Sequence, residues 1–195
     1  NQIYSFGKGP TQTTVETPLA GVTLGQSLII EGKVLDISAG TTQSSIAARF
    51  PLGVAAISDA SMTPWMEYVY MQNPIPGNAT GVPVDLTLID PNGNIINEPT
   101  VTSDISGHYA LDYKTSSGVA GTYTVLATFH GTNSYWPSYS ESTFVVDPAP
   151  KATTAPTATP TSVADMYFVP AIAGLFVLII IVAIVLALLM LRKRP

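Results

Sequence analysis

The stretch GTYTVLATFHGTNSYW, residues 121–136, decides the fold that the sequence predicts. Its first half places Tyr123, Val125, Ala127 and Phe129 at every second position, with smaller or polar side chains between most of them. Because successive side chains of a β-strand point to opposite faces, this spacing predicts a strand with one face in a core.

Four other stretches show strand patterns between turn signals. They are SLIIEGKVLD (27–36), VPVDLTLIDPNGN (82–94), TVTSDISGHYALDY (100–113) and STFVVD (142–147). Gly32 is a candidate β-bulge, and residues 104–107 predict a bend. Without the spacing of βαβ units, about seven such strands predict a mainly β fold, an immunoglobulin-like antiparallel β-sandwich over residues 10–147.

One segment inside this domain, SDASMTPWMEYVYMQNP (58–74), does not follow the strand pattern. It belongs to an insertion at residues 38–80. Apolar side chains recur there at helical spacing, with Thr63 as a cap and Pro64 as the first helical residue, which predicts a short helix from about residue 64 to 72. The run at 68–70 also suits a strand.

Aromatic side chains are the candidate binding residues, in two groups. A ligand-binding interpretation assigns them to a glycan or protein surface; the alternative, which the helical spacing favours, packs the first group over an end of the sandwich. The second group follows the predicted strand that contains Tyr123 and Phe129, and Pro137 within this group suggests a kink at a sheet edge. The groups are Trp65, Tyr68 and Tyr70, and Tyr135, Trp136 and Tyr139.

Metal and catalytic motifs are weak. Asp90, Asn92 and Asn94 resemble the first ligands of a calcium loop, but the positions that need Gly and Glu hold other residues, so a hairpin turn is predicted instead. His108 and His130 have no accompanying nucleophile motif. We therefore expect no catalytic residue, metal site or cofactor in this chain, and expect that it is not an enzyme.

A glycosylation sequon occurs at residues 78–80, Asn-Ala-Thr. It falls in a loop rich in Pro and Gly. If the domain is exported, Asn78 is a candidate for N-glycosylation.

The chain ends in a predicted membrane anchor. Residues 166–191 carry no charge and are followed by Arg192, Lys193 and Arg194. A helix rises about 1.5 Å per residue, so this segment can cross a hydrocarbon core of about 30 Å, and we place Pro170 near its first turn. The basic cluster predicts a cytoplasmic tail at residues 192–195 and an extracellular N-terminal domain in a single-pass protein of the cell membrane.

Residues 148–165, PAPKATTAPTATPTSVAD, predict an extended stalk between the domain and the helix. Their prolines and threonines cannot bury a core and favour polyproline-type chain. The portion before residue 166 holds five basic and 13 acidic residues, a formal net charge of −8, which disfavours nucleic acid as a partner. The sequence has no Cys, so disulfides cannot stabilise the domain.

Several stretches resemble the C-terminal region of archaeal cell-surface proteins in which a PQQ-like β-propeller precedes an Ig-like domain and a membrane anchor. They are GKGPTQTTV, SDASMTPWMEYVYMQ, NATGVPV, TVTSDISGHY, TYTVLATFHGTNSYWPSYSESTF and the final DMYFVPAIAGLFVLIIIVAIVLALLMLRKRP. The resemblance implies an upstream propeller, and residues 1–9, with the strand-like run at 3–6, are similar to its last strand. We expect a longer polypeptide with its export signal upstream. The resemblance does not imply a bound quinone, because no cofactor ligand is identifiable in these residues.

These observations favour a spacer that is anchored in the lipid bilayer and displays a larger surface domain, its intramolecular partner. The alternative is a module that binds a glycan or protein through the aromatic residues near Trp65 and Trp136. Exposure of the two tryptophans separates the two functions, because a binding surface requires exposed rings.

Overall fold

Ten β-strands and three α-helices form the described part of the chain, residues 7–115, 118–151 and 162–192 of a computed structural model. Two compact units divide it, Asn1–Pro150 and Lys151–Pro195. The first unit holds all the strands, and the second holds the long C-terminal helix.

The elements have the following bounds. The strands are β1 Thr11–Glu16, β2 Val22–Thr23, β3 Ser27–Asp36, β4 Val54–Ala55, β5 Pro83–Ile89, β6 Ile95–Asn97, β7 Val101–Thr102, β8 His108–Lys114, β9 Gly121–Phe129 and β10 Ser138–Asp147. The helices are α1 Ser44–Arg49, α2 Met62–Met71, preceded by a 3₁₀ turn at Asp59–Ser61, and α3 Val163–Arg192.

The strands form the two sheets of an Ig-like sandwich. In the first sheet, β3 pairs with β1 on one edge and with β8 and β4 on the other. The second sheet has the order β2-β10-β9-β5-β6, and β7 also pairs with β5. Most neighbours are antiparallel, but β2 is parallel to β10. Strands β1 and β2 belong to different sheets, and the later strands cross between the two sheets. This is the Greek-key connectivity of the immunoglobulin class.

Alternation along each strand builds the core. In β9 the four residues of the opening stretch, Tyr123, Val125, Ala127 and Phe129, are all buried, as predicted. Residues of β3, β5, β8 and β10 meet them from both sheets. Tyr123 stacks on Phe144, with ring centroids 5.2 Å apart.

Hydroxyl groups join the sheets along one edge. The Ser138 hydroxyl lies 2.8 Å from that of Thr11 and 2.7 Å from that of Thr13, and the Thr17 hydroxyl lies 2.8 Å from that of Ser142. These contacts place β1 beside β10, with the two strands running in the same direction. In a domain without Cys, they connect the sheets by hydrogen bonds.

The inserted helix is present, with different bounds from those predicted. It begins at Met62 rather than residue 64 because the 3₁₀ turn leads directly into it, so Thr63 lies inside the helix and is not its cap. It ends at Met71, where Gln72 adopts a left-handed conformation with φ 58°. The insertion also contains α1 and β4, which the sequence did not predict.

Two other local predictions are wrong. The pairing of β3 with β1 and with β8 is continuous through Gly32, so no bulge occurs there. Residue 9 belongs to the sandwich, because Gly9 forms a parallel bridge with Tyr135 and its N–H donates to the carbonyl of Ser134 at 2.8 Å. Of the rest of the predicted propeller strand, Gly7 and Lys8 are not in a strand, and residues 1–6 lie outside the described residues.

Helix α3 is the one helix in the described ranges that is long and apolar enough to cross a membrane, over Met166–Arg192. It begins at Val163, so the end of the predicted stalk is helical, and Pro170 lies within the helix instead of in its first turn. Most of the predicted stalk, residues 152–161, lies outside the described residues, as do Lys193 and Arg194 of the basic tail.

Candidate functional site

The insertion folds around a small core of its own beside the sandwich. Helices α1 and α2, strand β4 and Ile57 contribute buried side chains, among them Ile46, Trp65 and Val69. Partly buried Phe50 and Tyr68 pack against this core. The insertion, which carries Trp65, Tyr68 and Tyr70, is therefore stabilised by a core of its own.

Trp65 is at the centre of this packing, only 2% exposed. Its ring centroid lies 6.5 Å from that of Phe50 and 5.3 Å from that of Tyr68. The prediction that Trp65 belongs to an exposed binding surface is therefore wrong. Its burial leaves almost no ring surface in contact with solvent, which an exposed binding surface would require.

Arg49 fixes α1 to the end of α2. Its guanidinium donates hydrogen bonds to the carbonyls of Val69 at 2.8 Å and Tyr68 at 3.1 Å. It also lies 5.3 Å from the Phe50 ring centroid and 5.4 Å from that of Tyr68. A cation near the last carbonyls of a helix satisfies groups that have no partner within the helix.

A cleft of about 230 Å³, here called the aromatic cleft, opens beside these rings. Phe50, Trp65 and Tyr68 line it, and exposed Leu52 and Ile75 belong to its rim. The indole N–H of Trp65 is the one buried side-chain polar atom without a hydrogen-bond partner in the described ranges. Aromatic and aliphatic side chains thus make up most of the lining of the cleft, which also includes Arg49 and Ser106.

A second cleft, of about 420 Å³, lies where α2 meets the start of β1 and the β9–β10 loop. We call it the acidic cleft because Asp36, only 5% exposed, lines it. One carboxylate oxygen, Oδ1, accepts a hydrogen bond from the Ser38 N–H at 2.8 Å, and Oδ2 is 3.4 Å from the Tyr135 hydroxyl. The other lining side chains include Met62, Met66, Tyr70, Asn133 and Ser134.

Two tyrosines of the acidic cleft, Tyr70 and Tyr135, have raised pKa values. Burial, together with that nearby carboxylate, raises the pKa of Tyr135 above its ordinary range, and the same two causes raise the pKa of Tyr70. Both phenols are therefore neutral donors at physiological pH. Tyr135 is 2% exposed, so its predicted role in an exposed sugar platform is wrong, whereas Tyr70 is 41% exposed.

Asp59 holds the loop that borders this cleft. Its carboxylate accepts backbone hydrogen bonds from Asn133 at 2.9 Å and Ser134 at 3.1 Å. The Ser134 contact is the main cause of the lowered pKa of Asp59. The insertion and the β9–β10 loop are thereby fastened to each other.

Trp136 and Tyr139 are the exposed members of the second aromatic group, at 57% and 73%. The Lys8 ammonium lies 5.6 Å from the Trp136 ring centroid. These rings satisfy the exposure that a binding surface needs, which Trp65 and Tyr135 do not.

The remaining candidates occupy turns or strand ends. The oxygens of Asp90 accept hydrogen bonds from Asn92 and Asn94 within the β5–β6 hairpin, so the residues of the supposed calcium loop form a turn. His130 contacts Asp85 at 3.0 Å, and His108 is exposed. No group of three or more His, Asp or Glu side chains that could hold a metal occurs among the residues described.

Asn78 is exposed in a turn, and the hydroxyl of Thr80 lies 2.8 Å from that of Ser58. Glycosylation of the sequon stays a prediction.

Arg192 is the last described residue of α3.

Asp36 lines the acidic cleft but was not predicted as a site residue, although its position in β3 carries a signal. Asp36 continues the every-second-residue series of Leu28, Ile30 and Val34 along β3, so strand periodicity alone places its carboxylate on the core face. A charged side chain at such a position is uncommon and indicates a special environment.

No protein-family model matches this chain, and no curated protein matches it. Among solved structures, the chain is similar to one described as "Crystal structure of tetra-tandem repeat in extending region of large adhesion protein", with 16% sequence identity and a TM-score of 0.40. The match covers 71% of this chain and 24% of that chain. The resemblance to archaeal proteins with a PQQ-like propeller stays a prediction.

Proposed function

We propose that this chain is a membrane-anchored extracellular spacer that carries a larger domain at the cell surface. One observation supports it above the others: the chain enters the sandwich beside the start of β10 and leaves at the end of β10. Ten residues of β10 separate these points, about 33 Å at 3.3 Å per residue. A module with its two connections at opposite ends adds its own length to a tether.

The first strands also suit a tether under tension. Segments 9–17 and 22–23 run alongside β10 in the same direction, and parallel pairs join Val22 to Val146 and Thr23 to Asp147. Pulling the two connections apart therefore loads these contacts in shear. Contacts loaded in shear must break together, which slows forced unfolding.

The anchor in this proposal is α3. All of its side chains for which burial is described are exposed within the chain, as lipid-facing side chains would be. The orientation we propose puts Arg192, Lys193 and Arg194 in the cytoplasm, by the positive-inside rule. Residues 148–165 would supply reach, and the propeller implied by the resemblance would be the displayed domain. The proposal assigns no enzymatic activity to this chain.

Single-cysteine labelling tests the orientation, because the chain has no natural Cys. Asn92→Cys puts a thiol in the exposed β5–β6 turn, and Pro195→Cys puts one after the basic cluster. On intact cells, a membrane-impermeant maleimide should label residue 92 only, and residue 195 should react after permeabilisation. Labelling of residue 195 alone on intact cells would contradict the proposal.

A second function is favoured by the exposure of Trp136 and Tyr139. We propose as the alternative that these rings stack on a glycan, because aromatic rings offer apolar faces to sugars. Titrating the full chain with surface oligosaccharides from the source cells should then shift the emission of Trp136. If the Trp136→Phe variant responds as strongly as the natural chain, this alternative is wrong.

A further inference from the structure

Asp36 is a buried carboxylate without a cationic partner. The sole ion pair in residues 7–115, 118–151 and 162–192 joins His130 to Asp85. Buried charges in proteins are normally paired with an opposite charge, because desolvation of an isolated carboxylate is costly. Asp36 has instead one close hydrogen bond, from Ser38, and one long contact with Tyr135.

We propose that the acidic cleft binds an alkylammonium group, the end of a lysine side chain presented by a partner protein. The ammonium would contact Oδ2 of Asp36, whose only described partner is the long Tyr135 contact. The rings and thioethers of Tyr70, Met62 and Met66 would cover the aliphatic stem, as apolar surface does for snorkelling lysines.

The geometry favours lysine over the other biological cations. Arginine binds best to a carboxylate with both oxygens available, but Oδ1 of Asp36 is already engaged by Ser38. Calcium needs six to eight oxygen ligands, typically with several carboxylates, and no cluster of three acidic or His side chains is present in the described part of the chain. A compact ammonium requires only one free carboxylate oxygen and nearby acceptors.

Hydrogen bonds also hold the β9–β10 loop in place as one wall of the cleft. Asp59 holds Asn133 and Ser134 in one wall, and the Gly9 backbone pairs with the same loop. The acidic surface of this unit would attract a basic partner before contact. This inference goes beyond the spacer function and does not depend on it.

Methionine methyl groups give a local readout of the cleft. Met62 and Met66 line it, while Met71, at the end of the same helix, does not and is 72% exposed. We would label the full chain with ¹³C-methyl methionine in detergent micelles and titrate it with Nα-acetyl-lysine methylamide. Nα-acetyl-norleucine methylamide, which has an aliphatic chain without the ammonium, is the matched control ligand.

We expect saturable shifts of Met62 and Met66, but not Met71, with a dissociation constant on the order of 1 mM. The norleucine compound should give no such shifts, and Asp36→Asn should weaken lysine binding by at least about tenfold, since the ion pair is lost. Tyr70→Ala, at a partly exposed position, is the second variant if Asp36→Asn fails to fold, and it should also weaken binding because it removes the ring that covers the stem. Equal shifts with both ligands, no shift up to about 50 mM, or unchanged affinity in the folded variants would overturn the proposal.

Discussion

The hydroxyl of Tyr109 lies over Gly32 and donates a hydrogen bond to the carbonyl of Thr14. Any side chain at residue 32 would collide with both the Thr14 carbonyl and the Tyr109 hydroxyl. Tyr109 is 3% exposed, and its burial raises the pKa of the phenol. This contact ties β8 to β1 across the central strand β3, and it explains why glycine occupies an unbulged strand position.

Replacing Gly32 with Ala should therefore destabilise the sandwich. We expect a loss of about 1–3 kcal/mol from overpacking against a backbone oxygen. Urea unfolding of the full chain in micelles, followed by tryptophan fluorescence, measures it. Gly77→Ala is the control, because no atom lies within 4 Å of its added Cβ, and an equal loss at both sites would contradict the role of Gly32.

The Ser138 hydroxyl connects β10 to two threonines of β1. Ser138→Ala leaves the hydroxyls of Thr11 and Thr13 without this partner, and both threonines are at most 9% exposed. Thr11 still donates to the carbonyl of Trp136, and Thr13 keeps a long contact with the carbonyl of Ser138. The expected cost is therefore about 0.5–1.5 kcal/mol of unfolding free energy, measured by urea unfolding. Ser140→Ala in the same strand should change it little, and similar effects of the two variants would show that the sheet contact is unimportant.

The two tryptophans should respond differently to a quencher in water. Acrylamide should quench the Trp65→Phe variant strongly, because it retains only Trp136, at 57% exposure. The Trp136→Phe variant retains Trp65, at 2%, and should be quenched weakly. Stern–Volmer slopes measure the difference, and similar slopes in both variants would mean that Trp65 is not in a core.

Asp85 should make the domain sensitive to acid. A hydrogen bond from the Thr100 hydroxyl, together with contact from His130, holds the pKa of Asp85 below its ordinary value. A lowered folded-state pKa adds stability at pH values above the ordinary carboxyl pKa of about 4, and this is lost as the pH falls through the folded-state pKa.

Asp85→Asn should therefore reduce the decrease in unfolding free energy between about pH 5 and pH 2. Thermal unfolding of the full chain across this range measures the slope. Asp112→Asn, an exposed carboxyl on β8 for which no side-chain hydrogen bond is described, is the control, and Asp85→Asn should have the larger effect. If the unfolding free energy of Asp85→Asn depended on pH as strongly as that of the natural chain, Asp85 would not be a source of the acid sensitivity.

The sandwich could be predicted because its strands repeat one simple pattern. Apolar side chains at every second residue in β3, β5 and β9 determine which face is buried, whatever the other strands do. The hairpin turn at residues 90–94 was also predictable, because Pro, Asn and Gly favour such turns. Strand partners and the parallel course of β2 and β10 depend on distant contacts that local patterns do not contain.

The insertion was harder to predict for a physical reason. Helix α1 is only six residues long, too short for apolar periodicity to be evident, and it is held by Arg49 reaching across to α2. The aromatic residues could not be sorted by sequence, since Trp65 and Trp136 have the same chemistry and opposite exposure. Only tertiary packing determines which ring is in a core.

The central claim, a spacer loaded along β10, is tested most directly by pulling single molecules of the full chain from two pairs of engineered cysteines. The pair Lys8→Cys with Pro148→Cys applies force between opposite ends of the sandwich. The pair Lys8→Cys with Pro137→Cys applies it between neighbouring strand starts, which separates contacts one after another. At one loading rate the first pair should unfold at the higher force, and an equal or lower force would contradict the account.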